Sequence, residues 1–156
     1  MKPLAKAILL VLLLAPWSSA QEDESWPPLG YLRNDYRSVA AVAHVRVRQA
    51  EITGRVGGYE NWKVSAEVVE PFKGRLRKGD LLEYFHGAEA GLRREYFDGE
   101  KIVFLLAEYD GETKARRYSV LENSTLPHTE GRVRKLRAIR RSDARRRPGR
   151  RAGNGR

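Results

Sequence analysis

Three histidines, His44, His86 and His128, are the side chains best suited to acid–base or metal chemistry in this sequence. Imidazole titrates near neutrality and is the commonest metal ligand. Their separations match no helical ligand spacing such as His-x-x-x-His, so only tertiary structure could bring them together. The expectation is exposed or partly buried strand and loop histidines rather than a pH switch or metal site, with no metal and no cofactor. The chain has no cysteine, which removes disulfides, thiolate ligands and a cysteine nucleophile from the available chemistry. No Gly-x-Ser-x-Gly elbow presents a serine nucleophile, and phosphate-loop and dinucleotide glycine patterns are absent. Glu67 and Glu83 fall on strand-like segments where two carboxylates could face each other, although solvated sheet positions explain them more simply. Asn123-Ser124-Thr125 has the form of a glycosylation acceptor. No catalytic residue is assigned, and the chain is expected not to be an enzyme.

Charge offers a second kind of chemistry. The 156 residues carry a formal charge of +10. Residues 132–156 contain twelve Arg or Lys and one acidic residue, Asp143, so they hold +11 and residues 1–131 sum to −1. The basicity belongs to the C-terminal segment. Arg140, Arg141, Arg145, Arg146, Arg147, Arg150 and Arg151 are the candidate polyanion-binding residues.

The elements that must position these groups follow from the hydrophobic pattern. Residues 1–20 have Lys2 and Lys6, a short apolar run and a small-residue end at Ser18-Ser19-Ala20, as a cleaved secretory signal does, and predict a mature chain starting near Gln21. That apolar run is too short for a membrane-spanning helix. Residues 21–37 read as a loose acidic lead-in containing Pro27 and Pro28, with Trp26 or Leu29 tucked against the domain and a short helical turn capped by Asn34 or Asp35. Period-two alternation over residues 39–47 predicts a long strand, and Gly54, Gly57 and Gly58 mark a loop. A second strand over residues 61–70 is ended by Pro71. Lys73-Gly74 and Lys78-Gly79-Asp80 bracket a turn before a third strand at residues 81–86. Residues 87–94 fit a loop or a helical turn, and Phe97 anchors a tight Asp98-Gly99 turn. Residues 102–107 are apolar on both faces, as expected of the most buried strand. Asp110-Gly111 turns the chain into a fifth strand over residues 117–122. Thr129 caps a helix over residues 129–141 whose Val133, Leu136 and Ile139 form a narrow apolar stripe. Residues 142–156 lack core-forming side chains and are expected to be disordered.

Five short strands with glycine turns, spread over a domain at residues 38–128, predict a small antiparallel barrel of the OB type, with a β-sandwich as the alternative. Val64-Ser-Ala-Glu-Val-Val-Glu-Pro-Phe-Lys-Gly, Tyr96-Phe-Asp-Gly-Glu-Lys-Ile-Val-Phe-Leu, the export signal and the terminal helix together resemble exported bacterial proteins of the netrin-like superfamily. That group is related in fold to the tissue inhibitors of metalloproteinases, so the resemblance implies an OB-type barrel. Two departures limit what it implies. Ala90-Gly91-Leu92 stands where members often have a Cys-Gly pair, and no cysteine follows the expected terminus at Gln21, so inhibition through an N-terminal cysteine on a catalytic zinc does not carry over.

These readings lead to an exported, non-enzymatic binding or structural module of the cell envelope. It would act through loops at residues 51–60 and 110–116 and through the basic tail. The expected partner is a protein or an anionic envelope component such as lipid headgroups or polysaccharide. Two alternatives remain. One is an envelope hydrolase whose site assembles only in three dimensions. The other is a single-strand nucleic-acid binder that stacks bases on Tyr59, Trp62, Tyr84 and Phe85, which the net charge of −3 over residues 21–131 disfavours.

Overall fold

Alternation along two strands gives the barrel wall two faces. In a computed structural model that describes residues 27–109 and 116–146, β1 (Ala41–Val56) turns Ala41, Ala43 and Val45 into the barrel, and β4 (Glu100–Tyr109) adds Val103 and Leu105. The intervening Val42, Ile102 and Phe104 point outward and are just as deeply buried. Outward apolar residues need a cover. It is supplied by two helices, α1 (Leu29–Ser38) and α2 (Glu130–Arg145). The apolar-on-both-faces pattern of β4 thus has its cause in a barrel interior on one side and a helix layer on the other.

With β2 (Tyr59–Lys73), β3 (Leu81–Glu89) and β5 (Arg116–Pro127), the strands close in the order β1-β2-β3-β5-β4. The fold is mainly β, a closed five-stranded barrel with a C-terminal helix, as expected, and it is not a sandwich. The barrel is mixed rather than wholly antiparallel, because β3 pairs parallel to β5. A closed ring with an odd number of strands cannot alternate direction at every seam. The other four pairings are antiparallel, so the β3–β5 seam takes the parallel arrangement.

Several boundaries differ from the sequence expectations. Strands β1 and β2 pair as far as Val56 and Tyr59, so residues 51–60 form the end of a β-hairpin rather than a loop. Only Gly57 and Gly58 turn, with φ of 58° and 84°, the positive values a two-residue hairpin requires. Hydrophobic alternation fades there because most of these side chains are exposed, while the backbone ladder continues. Pro71 does not end β2. It sits opposite Ala43 beside a register shift and beyond the last β3 partner, Glu67, where its missing N–H is tolerated. β3 extends to Glu89, and a 3-10 turn, Arg94–Phe97, places the fully buried Phe97 against Trp62 at the barrel end.

The lead-in is a helix from Leu29 rather than a loose segment. Pro28 at its N-cap position needs no donor, and Leu32 and Tyr36, one turn apart, are buried while Leu29 stays exposed. Tyr36 also donates its hydroxyl to the Phe72 carbonyl at 2.6 Å. In α2, Thr129 caps as expected, its hydroxyl accepting from Arg132 N at 3.2 Å, and Val133, Leu136 and Ile139 are buried. The helix continues to Arg145, four residues past the expected end at 141. Ala144 and Arg145 are good helix formers, and Ser142 donates its hydroxyl to the Ile139 carbonyl at 2.8 Å. The expected signal and the rest of residues 1–26, the expected Asp110-Gly111 turn with residues 110–115, and residues 147–156 lie outside the described residues.

Candidate functional site

His44 lies on the helix-covered outer face of β1, two residues beyond Val42 and at the edge of that cover. Its cross-strand partners are Ile102 on β4 and Glu70 on β2. One step along the ladder, Arg46 stands opposite Glu100 and donates Nε and Nη2 to Oε1 at 3.2 and 2.8 Å. The other carboxylate oxygen, Oε2, is 2.9 Å from His44 Nε2. His128, on the short link between β5 and α2, brings Nδ1 within 3.9 Å of the same oxygen and stacks its ring on His44 with centroids 4.1 Å apart. Two of the three histidines therefore converge on one carboxylate. Their positions at sequence numbers 44, 100 and 128 carry no local spacing that could have revealed the cluster.

Each carboxylate around this cluster has an arginine partner. Burial pushes His44 below the ordinary histidine pKa, partly opposed by its hydrogen bond to Glu100. Arg46 holds Glu100 below the usual carboxylate value, with His44 adding to the effect. Glu70 is lowered by Arg137 of α2, which donates Nε at 3.0 Å and Nη2 at 2.6 Å to its two oxygens. Arg140 stands 3.9 Å from Glu70 and donates to the Pro71 carbonyl at 2.9 Å. Imidazoles and arginines thus tie the outer wall of the barrel to α2.

His86 stands apart. It meets Thr125 Oγ1 at 3.3 Å and the rings of Tyr96 and Phe97, and burial alone lowers its pKa. It lines a cleft of about 310 Å³ with Tyr59, Tyr96 and Glu89. Glu67 and Glu83 do not face each other: Glu67 pairs with Arg48, and Glu83 with Lys63 at 2.8 Å. Trp62 and Tyr84 are core residues and offer no stacking surface. Tyr59 is exposed, and Phe85 lies beneath Arg117, whose guanidinium carbon is 5.9 Å from the ring centre. The Asn123-Ser124-Thr125 triplet falls inside β5, with Ser124 and Thr125 buried.

Among the basic candidates, Arg140, Arg141 and Arg145 are on exposed positions of α2, and Arg146 caps it. Arg147, Arg150 and Arg151 lie outside the described residues. Arg134, Arg141, Arg145 and Arg146 are exposed and make no ion pair among the described residues. A second cleft, about 460 Å³, opens between the C-terminal end of α2 and the end of β2; Lys73, Arg75 and Arg140 line it, with Asp143 as the acidic residue of its wall. No described helix is long and apolar enough to cross a membrane. No known family model matches the chain, and no curated protein matches it.

Proposed function

We propose that the chain is an exported, non-enzymatic binding module of the cell envelope, a netrin-like barrel of the OB type, that attaches to anionic lipid headgroups through α2 and the arginine-rich segment after it. The observation that carries this reading is the division of labour along α2. Val133, Leu136 and Ile139 are spent on docking, Arg137 and Arg140 on the barrel, and Arg134, Arg141, Arg145 and Arg146 remain exposed without an acidic partner among the described residues. A helix held rigidly to a barrel presents those guanidinium groups at little further entropic cost. Each basic residue near an anionic surface contributes about 1 kcal/mol, so four of them and the following arginines suffice without a formed pocket. The strand order and the C-terminal helix support the OB-type and netrin-like parts of the reading.

Vesicle partition tests it. The protein is expected to bind vesicles containing anionic lipid, to leave neutral vesicles in solution, and to release as salt rises. Replacing Arg134, Arg141, Arg145 and Arg146 together with glutamine should weaken partition at least tenfold. Binding that is insensitive both to salt and to this replacement would remove the proposal.

A further inference from the structure

Glu100 divides its oxygens between two kinds of partner. Arg46 takes Oε1 with both of its donors, and Oε2 is left facing two imidazoles, 2.9 Å from His44 Nε2 and 3.9 Å from His128 Nδ1. The three ligand atoms all lie within 4.8 Å of one another. Ligands on one tetrahedral zinc, each at about 2.0–2.2 Å, sit roughly 3.3–3.5 Å apart. The cluster brackets that spacing.

We propose that His44, His128 and Glu100 form a binding site for a single borderline divalent transition cation, of which Zn²⁺ is the reference, with a fourth position open to water. The donor set decides the class of ion. Two imidazoles and one carboxylate suit zinc and its first-row neighbours, whereas Mg²⁺ and Ca²⁺ take oxygen shells. Arg46 contributes by holding the oxygen that does not bind, which orients the one that does. His44 is held in place on β1, its side chain 7% exposed and its Nε2 already directed at Glu100 Oε2.

One rearrangement is required. The His44 and His128 rings are stacked only 14° from parallel, and parallel rings cannot both direct their in-plane lone pairs at one ion. His128 must turn out of the stack. It has room to do so, since its side chain is 24% exposed on the link between β5 and α2. Coordination would then join β1, β4 and the entry to α2 through one ion, fixing the helix that carries the exposed arginines. The site stands on its own geometry and does not depend on the lipid reading.

Calorimetric titration of ZnCl₂ into EDTA-stripped, dialysed full-length protein at pH 7.5 is the test. One zinc per chain is expected, with affinity falling about tenfold or more in His128→Ala and in Glu100→Gln. His86→Ala should bind as wild type does. Thermal unfolding supplies a second readout that also shows whether each variant folds: zinc should raise the Tm of the wild type and leave that of His128→Ala unmoved. A wild type that takes up no zinc overturns the proposal, as does a folded His128→Ala variant that binds zinc like the wild type.

Discussion

The inner and outer faces of β1 and β4 are built from adjacent residues and do different work. Inside, Ala41, Ala43, Val45, Val103 and Leu105 meet Trp62, Val64, Tyr84 and Phe97 in one buried cluster. Outside, Val42, Ile102 and Phe104 pack under Leu32, Tyr36 and Leu136, and two residues farther along β1 and β4 the apolar layer gives way to His44 and Glu100, joined by His128 from the link to α2. The outer face reaches solvent at its rim, so polar chemistry collects there, beside helices that could transmit it.

The largest expected effects separate the two layers. Phe97→Ala removes a fully buried ring that touches Trp62, His86 and Tyr96 and should cost about 3–5 kcal/mol in urea unfolding, lowering the whole transition. Leu136→Ala, in the outer layer, should cost about 2–5 kcal/mol. It should also release α2 first, so that amide exchange rises in residues 130–145 before it rises in β1 or β4. Equal exchange in both layers would show that the barrel and its helix cover unfold as one unit, and would erase the distinction.

A smaller effect is expected where the two layers meet. Gly74 has φ +93°, and a Cβ there would lie 2.8 Å from the Ala41 Cβ and 2.9 Å from the Ala40 carbonyl oxygen. Strained backbone and a blocked approach to the start of β1 coincide, so Gly74→Ala should destabilise by about 1–3 kcal/mol. A melting temperature equal to wild type would mean that the Lys73-Gly74 turn can be rebuilt at no cost.

The mildest expected change is a slope with pH, which sharpens the comparison through its two kinds of histidine. His44 on the outer face and His86 against Phe97 both have pKa values lowered by burial from 6.5. The unfolded chain therefore binds protons that the folded one refuses. Stability is fully present above the unfolded value and falls as pH drops through 6.5 toward the lowered folded values. The lowered carboxylates Glu70 and Glu100 extend the loss on further acidification below 4.5. Denaturant unfolding between pH 7.5 and 5.5 should show this decline, and His44→Gln and His86→Gln should each flatten part of it. A wild type whose stability rises on acidification would reverse the sign assigned to both histidines.

Much of the barrel was legible because period-two alternation reports which side of a strand is buried. Residues 102–107 lie within β4 and residues 41–47 of the expected strand lie within β1, whereas Val39 and Ala40 belong to the link from α1; the Thr129 cap and its apolar stripe found α2. The turn glycines at 57, 58, 74 and 99 also marked real reversals, each with positive φ. The hairpin end was missed because exposed strand residues lose the hydrophobic signal while keeping their backbone pairing. α1 was read only as a short helical turn capped by Asn34 or Asp35, residues that lie inside the helix, because its apolar evidence is only Leu32 and Tyr36, whose burial depends on Phe72 and α2. The expected antiparallel barrel overlooked that a closed ring of five strands requires a parallel seam, and strand order, which alternation does not report, places it at β3–β5.

Local order in the chain determined where the backbone is extended, where it turns, where the last helix begins, and that positive charge concentrates after residue 131. Those properties depend on neighbours a few residues apart, and a sequence displays them directly. Tertiary structure alone decided that residues 44, 100 and 128 share a site and that arginines on α2 divide between binding the barrel and facing solvent. Closure of the barrel sets strand order and register, and these bring distant side chains to one point on its outer wall with no spacing along the chain to announce it.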